Sequence, residues 1–133
     1  MSKFLVFFTA GLVFILCACD PGLCLRVTVK KTGDFVLVYA NKHFLPHAND
    51  SGKIVFQIPP ENQPQIKDTI LFYGIGTWQN KEYVMNFATE IDSIIVGTSG
   101  KQKIIKNSAS IFNYLWERRK GAMKSIIEIS TED

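Results

Sequence analysis

The chain is poor in the residues that usually build chemistry or staples. It holds only three cysteines and two histidines in 133 residues. It has no apolar run long enough to cross a bilayer, which takes roughly 20 residues. The longest such stretch, Phe4 to Leu16, follows a lone cation, Lys3, and its length suits the h-region of a secretory signal, about 7 to 15 residues. No glycine-rich phosphate loop or nucleophile elbow is expected: Gly74-Ile75-Gly76 lacks the third glycine, and the segment after it reads as a strand rather than the helix such a loop needs; Ser99 sits in a turn-like Gly-Thr-Ser-Gly. The formal charge of +3 argues for no polyanionic partner, nucleic acid included.

What is present begins where the apolar run stops. Leu16-Cys17-Ala18-Cys19 resembles a bacterial lipobox, and only Cys19 follows a residue small enough for a signal-peptidase pocket. The resemblance implies a diacylglyceryl group on the Cys19 thiol, cleavage after Ala18 and acylation of the new amine. Each buried methylene contributes roughly 0.8 kcal/mol, so three acyl chains hold firmly. The partner so implied is a lipid bilayer, faced from the periplasm, and Asp20 resembles the retention signal of inner-membrane lipoproteins. The expected organisation is a signal peptide over 1–18, a lipidated tether over 19–23 and one domain over 24–133. Removing residues 1–18 from the 133 leaves 115, the size of a single domain. Cys24 is then the sole thiol, so no intrachain disulfide forms. It is either a small buried hydrophobe or the site of an intermolecular bridge.

Beyond the cut the periodicity is that of strands. Leu25, Val27 and Val29 alternate with Arg26, Thr28 and Lys30, the pattern of a strand with one wet face. Phe35 to Ala40 is apolar on both faces, as in the middle of a sheet. Gly33 between them suits a hairpin turn. Further strands are expected over 53–58, ended by Pro59 and Pro60, and over 90–97, paired across Thr98-Ser99-Gly100 with Lys101 to Ile105. Another closes the domain at 125–130. Thr69 to Trp78 and Lys81 to Thr89 read as a hairpin around Gln79-Asn80, with Gly76 under Tyr83 and Gly74 under Met85. Residues 108–121 read as either helix or strand. The end signals favour the helix, with a Ser cap, cations in the last turn and Gly121 after it. The fold class expected is mainly β, a small antiparallel sandwich or barrel of immunoglobulin- or transthyretin-like kind, with a short C-terminal helix.

Catalytic and metal sites are not expected. His43 and His47 are four apart, a ligand spacing only on a helix, and Pro46 with Ala-Asn-Asp-Ser-Gly puts them in a loop beside Asp50. Glu90 and Asp92 read as a solvated strand end rather than an acid-base pair. No cofactor is called for. The aromatics favour protein contact instead: a rim aromatic on a rigid hairpin loses little entropy on docking, which nominates Trp78, Gln79, Asn80 and Tyr83 as the partner-binding tip.

A lipobox cysteine, the Asp-Pro-Gly spacer, the strand Leu23 to Val29, the segment Thr32 to Tyr39, the strand Ser51 to Pro60 and the stretch Tyr73 to Asp92 together resemble the small periplasmic lipoproteins classed as type VI secretion immunity proteins. The likeness covers Cys19 to Gly97. It implies a tethered, non-enzymatic inhibitor that occludes a protein toxin. The alternative expectation is a structural lipoprotein subunit of a cell-envelope secretion complex.

Overall fold

Among the described residues eight strands and two α-helices follow in chain order: β1 Gly22–Val29, β2 Phe35–Ala40, β3 Lys53–Gln57, β4 Lys67–Ile75, α1 Lys81–Thr89, β5 Ile91–Thr98, β6 Lys101–Lys106, α2 Ser108–Glu117, β7 Arg119–Lys120 and β8 Ile126–Ser130. The computed structural model describes residues 22–41, 52–58, 67–98 and 100–132. The lipobox with Cys19, Asp20, the histidine loop with Asp50, and Ser99 lie outside them.

The strands form two four-stranded sheets, β4-β1-β8-β7 and β3-β2-β5-β6. The expected mainly-β sandwich with a short helix is the fold observed. Alternation decides which side chains turn inward. Leu23, Leu25, Val27 and Val29 of β1 and Val36, Val38 and Ala40 of β2 are buried, and Ile54, Phe56, Ile94, Val96, Ile127 and Ile129 join them in one core. The sheets meet directly where β1 lies against β2 and β3, and β3 against β4. Toward the other side α2 touches β5, β6 and β8. It fills the gap between the sheets with Ile111, Phe112, Tyr114 and Leu115, all buried.

Three expectations are corrected. β1 and β2 are not a hairpin: β1 pairs with β4 and β8, and β2 with β3 and β5. The turn at Gly33, with φ +90°, carries the chain from one sheet to the other. Val29 and Val36, on its two sides, are therefore both fully buried. The sandwich is not wholly antiparallel, because β1 and β8 run parallel, Leu25 beside Ile127. Such a pair needs a long crossover, and here nearly the whole domain supplies it.

Nor is Lys81 to Thr89 a strand. Gly74 takes φ +111° where the β1–β4 register shifts, and Gly76, with φ +149°, follows the last residue of β4, after which the ladder is not continued. The Asn80 side chain then accepts from the backbone N–H of Tyr83 at 3.1 Å, capping a helix whose first turn holds Glu82. Val84, Phe87 and Ala88 are its buried residues, spaced to form one helical stripe. Residues 108–117 are helical as favoured, but Asn107 is the cap, accepting from Ser110 N–H at 2.9 Å. The helix ends at Arg118, and Arg119 and Lys120 leave it to pair with Ile127 and Ile126.

Candidate functional site

Trp78, chosen from the sequence as an exposed tip, is fully buried. Its indole N–H donates to the Cys24 carbonyl at 3.0 Å, and its backbone N–H donates to the Lys124 carbonyl at 2.7 Å. Phe87 packs edge-on with ring centroids 4.7 Å apart, and Tyr73 and Tyr83 at 6.3 and 5.7 Å. Burial pushes the Tyr73 hydroxyl pKa well up. The guanidinium of Arg119 donates to the Trp78 carbonyl at 3.1 Å and to the Trp116 carbonyl at 2.8 Å, with its carbon 3.2 Å from the centroid of the Trp116 ring. That cation ties α2 to the approach to α1, and desolvation lowers its pKa. Of the four expected tip residues, Gln79, Asn80 and Tyr83 are at the surface. Asn80 is engaged as a helix cap and Tyr83 leans on Trp78, so the four do not form one binding edge.

Register builds a different surface. On the outward side of the second sheet Leu37 lies between Val55 and Ile95, and Ile95 is beside Ile104. Four aliphatic side chains thus cross all four strands in one row. Val55 and Ile104 at the two ends are 41% and 51% exposed, and Leu37 and Ile95 between them are half-buried. On one flank Phe35 covers Gly97 so closely that a Cβ there would stand 2.3 Å from the ring; Gln57 and Gln102 are their neighbours. On the other flank run Lys53, Tyr39, Ser93 and Lys106, with the Lys53 ammonium 5.5 Å from the Tyr39 ring centroid. No aspartate or glutamate occurs among these twelve positions. An apolar centre with a polar, cationic rim is the anatomy of a protein interface, and aliphatic groups contiguous on a sheet face are the informative departure from ordinary scattered exposure. The signal was present in Leu37, Val55, Ile95 and Ile104, but it needed the pairing of β2 with β5 to align it.

The outward side of the first sheet differs. Asp68 accepts from Arg26 in a two-pronged contact and from the Thr28 hydroxyl at 3.3 Å. The Glu128 carboxylate lies 3.7 Å from Arg26 and 3.1 Å from Lys120. The Arg26 guanidinium holds the Asp68 carboxyl below its ordinary pKa, and Asp68 raises that of Arg26 in return.

Remaining candidates stay separate. Glu90 ends α1 and its carboxylate accepts from Asn41 at 3.3 Å, while Asp92 is exposed on β5. Arg118 stacks on Tyr114, 3.6 Å from the ring centroid, across from Lys103 at 5.3 Å, which lines an open groove between β6 and α2 with Lys106 and Asn107. Among the described residues no three His, Cys, Asp or Glu side chains gather to hold a metal, and no helix is long and apolar enough to cross a membrane. Compared with known protein families, curated proteins and solved structures, the chain matches none of them.

Proposed function

We propose that this protein is a binding protein of the bacterial envelope, anchored by lipid on Cys19 and facing the periplasm. It acts without catalysis by occluding a toxin delivered through type VI secretion. One observation carries the binding part of this reading: the aliphatic row Val55, Leu37, Ile95 and Ile104, rimmed by Lys53 and Lys106 and lacking any carboxylate. A stable complex takes roughly 800 Å² from each partner, and a four-stranded sheet face, roughly 19 Å by 20 Å at ordinary strand spacings, offers a rigid centre for it. A rigid surface loses little entropy on docking, and an anchor raises the inhibitor's effective concentration where toxin arrives. The cationic rim selects a partner surface that is acidic around an apolar centre. The likeness of the segment from Cys19 to Gly97 to immunity lipoproteins supplies the class of partner.

The test is contact killing. Cells lacking the gene should be killed by toxin-delivering siblings, and a plasmid copy should restore survival. A copy carrying Leu37→Asp, accumulating to the same level, should not. Survival of the deleted strain defeats the immunity role. Co-purification with the subunits of a secretion complex would assign a structural part in that complex instead.

A further inference from the structure

We propose that the exposed apolar end of the first sheet, Phe72, Ile75 and Met123 around Gly22, rests on the surface of the phospholipid bilayer entered by the acyl chains of Cys19. This rests on the anchored reading above and adds an orientation to it. Only residues 20 and 21 separate Cys19 from Gly22. A fully extended chain advances at most ~3.6 Å per residue, so the lipid-bearing residue stays within about 11 Å of Gly22.

The described chain starts inside the apolar cluster. Gly22 pairs with Ile75, and the Phe72 ring lies over Gly22, 2.8 Å from where a Cβ would stand. Ile75 is 71% exposed and Phe72 60%. Met123, 57% exposed, projects from the turn that precedes β8. That turn is fixed beside β1, because the Cys24 N–H donates to the Ser125 carbonyl at 3.0 Å. Three large apolar groups are thereby held in water at the root of an anchor whose other end is in hydrocarbon.

Charge agrees with this placement. Lys120 and Lys124 are exposed in the same turn region. No carboxylate occurs from Gly22 to Lys31, from Thr69 to Asn80 or from Arg118 to Ile127, and Asp68 and Glu128, which border these segments, are neutralised by Arg26 and Lys120, which leaves Lys124 as the cation open to a headgroup. Anionic headgroups attract lysines near a membrane surface and would repel carboxylates there. With this apolar end of the first sheet, and not its ion-paired face, against the lipid, the aliphatic row of the second sheet is left toward the periplasm.

The full chain, purified with its lipid and reconstituted in vesicles of phosphatidylethanolamine and phosphatidylglycerol, tests this. The photocrosslinker p-benzoylphenylalanine is placed singly at Ile75, Met123 and, on the second sheet, Ile104. Circular dichroism and unchanged melting select folded proteins. Irradiation should add the mass of one phospholipid at Ile75 and Met123, and little at Ile104. Equal labelling at all three positions, or none at Ile75 and Met123, overturns the orientation, as do crosslinks from those two positions to a second copy. Mass spectrometry of the same sample separates the two readings: a chain without fatty acid on Cys19 removes the anchor and the orientation together, whereas a lipidated chain with no lipid adducts at the patch removes the orientation alone.

Discussion

Two regions rich in large side chains behave in opposite ways. Around Trp78 the rings of Tyr73, Tyr83 and Phe87 converge on one buried indole, and the indole N–H and the backbone N–H of Trp78 each have a backbone acceptor. On the outer side of the other sheet, β3-β2-β5-β6, four aliphatics stand in a row with water over them. As sequence, the aromatic region has the features of a docking tip, whereas the aliphatic row has those of ordinary strand. The difference shows that residue type says how much an interface can gain, whereas pairing register says which residues share a surface. The aromatic cluster centres on a ring buried in the core, and the plain aliphatic row stays at the surface.

The largest effect that sharpens this contrast is on folding. Trp78→Ala should cost about 3–5 kcal/mol, the range for emptying a packed aromatic site, with the loss of the bond to the Cys24 carbonyl included. Urea denaturation followed by circular dichroism measures it. A cost below about 1 kcal/mol, the scale of an exposed position, would break the distinction.

Leu37→Asp should do the reverse. Cross-strand pairs contribute about 0.2–1 kcal/mol each, so a half-buried position with two such neighbours loses about 0.4–2 kcal/mol. Protection against killing should vanish nonetheless. Retained protection at wild-type protein levels would remove the aliphatic row from the binding surface.

How much of the fold is legible in the sequence follows from the range of the forces involved. The strands at 22–29, 35–40, 53–57, 91–98 and 126–130 are legible because each is a short run rich in β-branched or aromatic residues, bounded by turn residues or, as at 22–29, alternating with polar ones. The β5–β6 hairpin is legible too, since two strands joined by so short a turn have few other ways to pair. Sheet membership is not. Gly33 announces a reversal, but a hairpin and a crossing between sheets need the same turn residues. The choice is made by β8, roughly 100 residues beyond β1, which takes the edge that β2 would have occupied. Lys81 to Thr89 misleads because Tyr83, Met85 and Phe87 satisfy a strand's period while Val84, Phe87 and Ala88 satisfy a helix's. Asn80 with Glu82 is the cap signal that could have decided it. The exposed row fails to stand out for a related reason: no single strand contributes more than one of its members.

Tyr83→Ala probes the boundary between the two regions. The ring is 46% exposed yet 5.7 Å from the Trp78 indole. An aromatic pair of this kind contributes about 0.5–1.5 kcal/mol, so the change should fall in that range, with protection unaltered. A loss of protection at unchanged stability would return the turn before α1 to the binding surface.

The smallest effect concerns the ion-paired face of the first sheet, and its sign is fixed by the direction of the Asp68 shift. Arg26 holds the carboxyl below its unfolded value, so the folded state binds its proton less readily than the unfolded chain does. The stabilisation is complete above the unfolded pKa, about 3.9, and is lost as pH falls through the lower folded value. Asp68→Asn removes the charge at every pH. Its denaturation midpoint should therefore lie slightly below the wild type's at neutral pH and converge on it as the solution is acidified below about pH 4. Added salt at neutral pH should narrow the same gap, because both side chains face water and are screened. A gap that stays constant from neutral to acid pH would mean that the loss in Asp68→Asn does not come from the charge of the carboxylate. The two sheets would then differ in apolar content alone and not in how they use charge.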